Sequence, residues 1–334
     1  MNRTLYLGYY FKQMKWDLLK KFLTHTSQLT GRSKTQLLLA SIRDVYKYNI
    51  SILEYFQFGF YNKTAEEKQF WAGTGTVYEF QKLANPPKQR VILDDKRLFY
   101  SNYKEFFKHQ MYTLEELESD KGLVDRIYAS NARIVLKESS GKAGGGIKIL
   151  ETSEIEASNL LSFMKQNRFG VLETYVKQHA KIQELSPSAV NTVRIFTQIR
   201  NDGTYEILGC RMRISVDSPV DNMAAGNLAA PVDVNTGVIT GPGVYSDITK
   251  LPQEKHPITG IDILGFQIPY WEEILEMTEK AALKHPQNKS IGWDIVVTDD
   301  GPGFIEGNHD WCKLVWQLPV NKGLKPMLEN YKNL

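Results

Sequence analysis

Two Asp-Gly turns constrain this chain more than any other feature. VNTVRIFTQIR (190–200) and YEILGCRMRIS (205–215) flank Asn201-Asp202-Gly203-Thr204, and IGWDIVV and FIEGN flank the second turn at Asp299-Asp300-Gly301. An Asp-Gly pair between β-branched, apolar runs reverses the chain in the sense that matches strand twist, so each unit reads as a hairpin. An all-helical fold is thereby excluded. Elsewhere the period changes. Residues 10–60 place Trp16, Leu19, Phe22 and Leu23, then Leu37, Leu38, Leu39, Ile42, Val45 and Tyr46, at three- and four-residue spacing. That spacing predicts two helices broken at Gly31.

The stretch ISILEYFQFGFY (50–61) is dense in aromatics and reads as a buried helix-packing face rather than a membrane patch. VILDDK (91–96) reads as a short strand ending in charge, with a helix after it. TLEELESD opens on a capping box, Thr113 with Glu116. RIVL (133–136) and IKIL (147–150) form a hairpin around a long glycine-rich loop. A helix near 153–167, the strand FGVLETYV (169–176) and an amphipathic helix over 270–285 complete the pattern. Strands and helices mix without strict βαβ alternation, so the expected class is α+β with several subdomains. The expected divisions are a helical region 1–88, a glycine-loop subdomain 89–188 and a C-terminal subdomain 189–334.

Charge and cysteines narrow the function. The net charge is only +3, so bulk attraction to nucleic acid is not expected. Residues 1–63 nevertheless hold ten Lys/Arg against three Asp/Glu. This basic head is either a solvated face or a contact for an anionic lipid surface, an acidic glycan or nucleic acid. The two cysteines, Cys210 and Cys312, lack metal-type spacing. With no apolar leader and no run of about 18 apolar residues, a reducing, cytoplasmic setting is the expectation, with peripheral membrane contact open.

Three groups could carry chemistry. In KESSGKAGGGIKIL (137–150), small residues let backbone N–H groups approach a phosphate beside lysines. Neither the Walker nor the Rossmann spacing is present, so the loop is either a flap over a nucleotide or a plain hairpin tip. Asp294, Glu306 and Asn308 form the second group. Glu306 and Asn308, two apart, share a strand face, and Asp294 faces them across the hairpin. Carboxylates inside apolar strands are costly without partners, and this oxygen set suits Mg²⁺. The third group is Arg194, Arg211 and Arg213, whose forks suit phosphate or carboxylate. For Arg211 and Arg213 an exposed strand face is the equal alternative.

The order of these elements resembles the ATP-grasp superfamily, most closely the sugar-transfer-associated proteins related to α-L-glutamate ligases. The resembling segments are LDDK (93–96), IVLKESSGKAGGGI (134–147), 171–197, DNMAAGNLAAPVDVNTG (221–237), HPITG (256–260) and IGWDIVVTDDGPGFIEGN (291–308). The resemblance implies two α+β subdomains gripping ATP beside a helical N-terminal region. It implies Lys96 and Lys137 on the phosphates, and Gly144, Gly145 and Gly146 as the flap. It implies Glu173 and the backbone of Tyr175 and Val176 at the adenine, and Asp294, Glu306 and Asn308 on magnesium. Arg194 would stabilise the transferring phosphoryl group, with Arg211 or Arg213 assisting. Asn191, Asp221, Asn222 and His256 match positions with an acceptor-side or structural role, and His256 can equally be a loop histidine packed for shape.

The sequence departs from the family in two places. Many carboxylate–amine ligases carry an arginine two residues before the first metal aspartate, where this chain has Gly292. Asn308 is followed by His309-Asp310-Trp311 rather than a Pro-Gly turn. The implied activity is an ATP- and Mg²⁺-dependent ligase that activates a carboxylate as an acyl-phosphate and joins it to an amine during polysaccharide assembly. A sugar or glycan kinase, or a nucleotide-binding adaptor of a glycosyltransferase, are the alternatives.

Overall fold

A computed structural model describes residues 14–120, 122–139 and 146–331. Gly144 and Gly145 of the expected flap lie outside the described residues.

The N-terminal region is helical because its caps are written into the sequence. The helix Trp16–Thr30 ends at Gly31, whose left-handed φ of 70° lets its N–H reach the Ser27 carbonyl. Ser33 with Gln36 and Ser51 with Glu54 form capping boxes for the helices Lys34–Tyr48 and Ile52–Gln57. Ile52, Tyr55, Phe56, Phe58 and Phe60 are all buried against Phe22, Leu37 and Trp71, so the aromatic stretch is a packing face. Glu54 joins this region to the C-terminal part. Its buried carboxylate accepts from the Ser51 and Thr74 amides and the Thr74 hydroxyl, and pairs with Lys313 at 3.0 Å. Burial pushes this carboxyl up, but Lys313 and the donors outweigh it and hold it below its ordinary value. Gln81 donates to the Trp311 carbonyl and Asn85 to the Ser290 carbonyl, so the helices are built onto the sheet behind them.

The run VILDDK is not a strand. Val91–Asp94 is one helical turn, and a helix runs over Lys96–Tyr103. Asp95 decides this: its carboxylate accepts from the Arg97 and Leu98 amides, capping the helix that Lys96 begins.

Two antiparallel sheets follow. The first has four strands in the order β1 (Met111–Thr113), β4 (Val171–Thr174), β2 (Arg133–Lys137), β3 (Ile147–Glu151), backed by the helices Leu123–Ser130 and Ala157–Gln166. The glycine loop joins β2 to β3, with Lys137 opposite Ile147. The second has five strands in the order β7 (Leu228–Val232), β6 (Tyr205–Ile214), β5 (Val193–Ile199), β8 (Ser290–Thr298), β9 (Gly301–Asn308). Both Asp-Gly turns join adjacent strands, β5 to β6 and β8 to β9. Every residue of β5 and β8 is buried. The helix Trp271–Lys284 covers one face with Ile195, Ile291 and Trp293. Phe196, Trp311 and Trp316 form a second core on the other face.

Candidate nucleotide and metal site

Strand register lines up the charged residues. Arg211 lies opposite Arg194, Arg194 opposite Asp294, and Asp294 opposite Glu306. Cross-strand partners share a face, so this is one row across the sheet. Arg194 grips Asp294 through both fork nitrogens, Nε to Oδ1 at 2.5 Å and Nη2 to Oδ2 at 2.6 Å. Arg213 Nη1 donates to the same Oδ2 at 2.7 Å, and its Nη2 to Asp221 at 2.5 Å and to Asn222. Thr192 completes the array, donating its amide and hydroxyl to Asp221 at 2.9 and 2.6 Å.

The electrostatics follow. Burial would raise the Asp294 carboxyl, but Arg194 and Arg213 outweigh it and hold it well below the usual carboxylate range. Glu306 shifts the other way, raised by burial and by the Asp294 charge beside it. Asp221 is also raised, by burial that Arg213 only partly offsets.

Two cavities meet at this row. One, of about 170 Å³, is lined from both sheets: Lys137, Glu173, Tyr175 and Val176 on one side, Arg213, Asp294 and Glu306 on the other, with Lys96 between. The second, of about 300 Å³, includes Arg194 and Asn308 and shares Lys96, Asn222, Ile305 and Glu306 with the first. Within the first, Lys137 Nζ lies 2.5 Å from Glu173, which also meets His109 at 3.3 Å. Burial pushes Glu173 up, but Lys137 and His109 bring it down to about 2. The Glu173 side chain thus holds the lysine. Lys96 is lowered by burial, offset by Glu306. Gly146, at φ 69°, closes the loop by accepting the Glu138 amide on its carbonyl.

Two sequence candidates stand outside both cavities. Arg211 turns to the Trp316 carbonyl, which accepts from Nε at 3.1 Å and Nη2 at 2.5 Å, and to the Cys210 carbonyl. Burial pushes it down to about 10. His256 is buried with Nε2 2.8 Å from the Ser215 carbonyl and Nδ1 accepting the Thr259 amide at 3.2 Å. It braces a loop. Asn191 is likewise structural, accepting the Ser215 amide and donating to the Ser186 and Ala189 carbonyls.

The donor set fits a hard cation. Glu306 stands opposite Asp294 in the strand register and beside Asn308, so three oxygen-bearing side chains lie together, the donor type that a hard cation takes. Asn308 donates to Glu306 Oε1 at 3.1 Å, and turning its amide over presents its oxygen instead. No group of three His, Cys, Asp or Glu suited to a metal occurs among the described residues, so the amide is needed as the third donor.

A model of the family described as sugar-transfer associated ATP-grasp matches residues 76–333, well over half of the chain. The chain belongs to this family. The family's fold, two α+β subdomains closing on a nucleotide, accounts for two sheets that face one another across a lysine-lined cleft. No curated protein matches the sequence. Among solved structures, D-cycloserine synthetase DcsG is similar at 12% identity, with 77% of this chain and 78% of that one covered and a TM-score of 0.44. The D-alanyl-alanine synthetase A of Vibrio cholerae O1 biovar eltor is 11% identical, with 74% and 63% covered and a TM-score of 0.42. The ADP complex of N5-carboxyaminoimidazole ribonucleotide synthetase, purK, is 8% identical, with 65% and 45% covered and a TM-score of 0.38. The chain thus spans less than two thirds of the length of the latter two.

Of Arg194, Arg211 and Arg213, the arginines that could serve where position 292 has none, Arg194 stands beside Asp294; the crowding at Gly292 itself is not legible in the sequence. A Cβ on Gly292 would sit 2.6 Å from the Trp311 Cβ and 3.3 Å from Arg194 Cδ. Arg194, on the neighbouring strand, fills the place beside Asp294. His109 was missed as well, since a lone histidine in a loop carries no signal.

Proposed function

We propose that the protein is a Mg²⁺-ATP-dependent ligase that joins a carboxylate to an amine through an acyl-phosphate, in the assembly of a sugar conjugate. The observation that carries this is the junction of two cavities at one charged row: a nucleotide would have one chamber, a second substrate the other, and Lys96 and Glu306 line both.

Lys96 and Lys137 are placed to neutralise the phosphates, with Glu173 holding Lys137 until they arrive. Arg194 and Arg213, fixed by Asp294 and Asp221, present positive charge where charge develops on the transferring phosphoryl group. Catalysis of this kind is positioning and electrostatics, since the transferring group needs no protein nucleophile. Glu306, Asn308 and Asp294 would hold magnesium, which would supply positive charge to the phosphates.

ADP release with Mg²⁺-ATP across a panel of sugar acids, amino acids and amines tests this, with Glu306→Ala beside the wild type. Turnover that needs both a carboxylate and an amine, and falls at least a hundredfold in the variant, is expected. A stable phosphorylated hydroxyl compound, formed with no amine, would sink the ligase reading in favour of a kinase.

A further inference from the structure

We infer that the outer face of the first two helices, Trp16–Thr30 and Lys34–Tyr48, is a contact for an anionic lipid bilayer. The inference stands apart from the reaction, since no residue of these helices lines either cavity of the charged row.

The two helices pack side by side, and each buries one flank against Ile52, Tyr55 and Phe56: Leu19 and Phe22 from the first, Leu37 and Val45 from the second. What they turn outward is cationic. Lys15, Lys20 and Lys21 are exposed at the first helix, Lys34, Arg43 and Lys47 on the second, and Arg32 in the turn between them. The acids do not match them. Asp17 is the one exposed acid of the two helices. Asp44 is turned inward, where Lys68 at 2.8 Å and Arg43 at 3.1 Å share it. Asp247, on the long segment after β7, takes Lys21 at 2.5 Å, and Glu67 caps its own helix through the Thr64 amide. Counting Glu66 beside it as well, the cations still exceed the acids, so the face attracts an anionic surface.

Apolar side chains stand among these cations. Leu39 is 63% exposed, Leu29 60% and Trp16 52%. Helical spacing puts Leu39, Arg43 and Tyr46 on one stripe, and Trp16 with Lys20 on another. This mixture chooses the partner. Cations alone serve any polyanion, but a leucine gains little from a glycan chain or a phosphate backbone. At a bilayer surface the cations meet lipid phosphates while leucine and tryptophan enter the headgroup boundary.

Sedimentation of the full-length protein with vesicles tests this, phosphatidylcholine alone against phosphatidylcholine with one third phosphatidylglycerol. Binding to the anionic vesicles is expected to be at least about tenfold tighter. Lys20→Gln with Lys34→Gln removes two charges outside the ion pairs described above and should weaken that binding about 25-fold, at about fivefold per charge. Leu29→Gln with Leu39→Gln should weaken it severalfold while leaving its salt dependence unchanged. All four positions are exposed, so the urea midpoint should stay at the wild-type value and the loss reads on binding. Lys165→Gln with Lys280→Gln makes the same loss of charge on exposed faces of other helices, and should leave binding unchanged. Equal binding to neutral and anionic vesicles, or no binding to either, overturns the inference. So does a control pair that weakens binding as much as the first pair, which would mean bulk charge. Anionic binding untouched by both test pairs places the contact elsewhere and overturns it too. Binding that ignores the leucine pair and is matched by heparin or duplex DNA would mark a general polyanion surface, and the bilayer assignment falls.

Discussion

The two walls of the nucleotide cleft are built to different standards. On the five-stranded side, β8 is buried along its whole length, and Asp294 is gripped by two arginines that are themselves anchored. On the four-stranded side, β3 is an edge strand with Ile147, Lys148 and Ile149 exposed. The first wall cannot shift without breaking buried ion pairs, while the second can move at little cost. On the proposed function, the rigid wall would handle the reacting phosphate and the looser one would cover the nucleotide.

The comparison can be broken most forcefully at Arg213. Replacing it with Met takes from buried Asp221 its arginine and from Asp294 one of its two, and a loss of about 3–5 kcal/mol is expected from urea unfolding. A loss under about 1 kcal/mol would show that the wall tolerates unpaired charge. Glu173→Gln tests the other sheet at its one buried ion pair. The Glu173 carboxyl falls from 4.5 to about 2 on folding, so its contribution is present above about pH 4.5 and disappears as the pH drops towards 2. The variant should lose about 3 kcal/mol at pH 7, and less as the pH falls. Urea midpoints measured between pH 7 and 3 check both the size and the sign. Gly292→Ala forces a Cβ against Trp311 and should cost about 1–3 kcal/mol, with ADP release reduced as Arg194 is displaced. Ile149→Ser, on the exposed edge yet lining the cleft, should change stability by less than about 0.5 kcal/mol while raising the KM for ATP. A large stability loss there would mean the second wall is as fixed as the first.

The sheets were legible wherever a local rule decides the outcome. Asp-Gly turns predicted both hairpins of the five-stranded sheet, and alternation put Glu306 and Asn308 on one face with Asp294 across from them. Where a long-range partner decides, the sequence is mute. Arg211 and Arg213 share a strand face, and only the Trp316 carbonyl, more than a hundred residues on, takes Arg211 out of the site. Asp221 could be picked out as a position but not as the anchor of Arg213. VILDDK misled because an apolar triplet reads as strand, while the caps offered by Asp95 override it over two turns. His256 has the loop-bracing place that its neighbouring Pro257 left open.

The glycine at 292 has a consequence for anyone comparing or redesigning such enzymes. An arginine grafted there from a peptide-forming relative would find its space held by the Trp311 indole and the Arg194 stem. A guanidinium stands beside Asp294 all the same, carried by Arg194 on the adjoining strand. A comparison that reads only along the chain would meet a glycine and pass over it, whereas one that reads across the sheet would not.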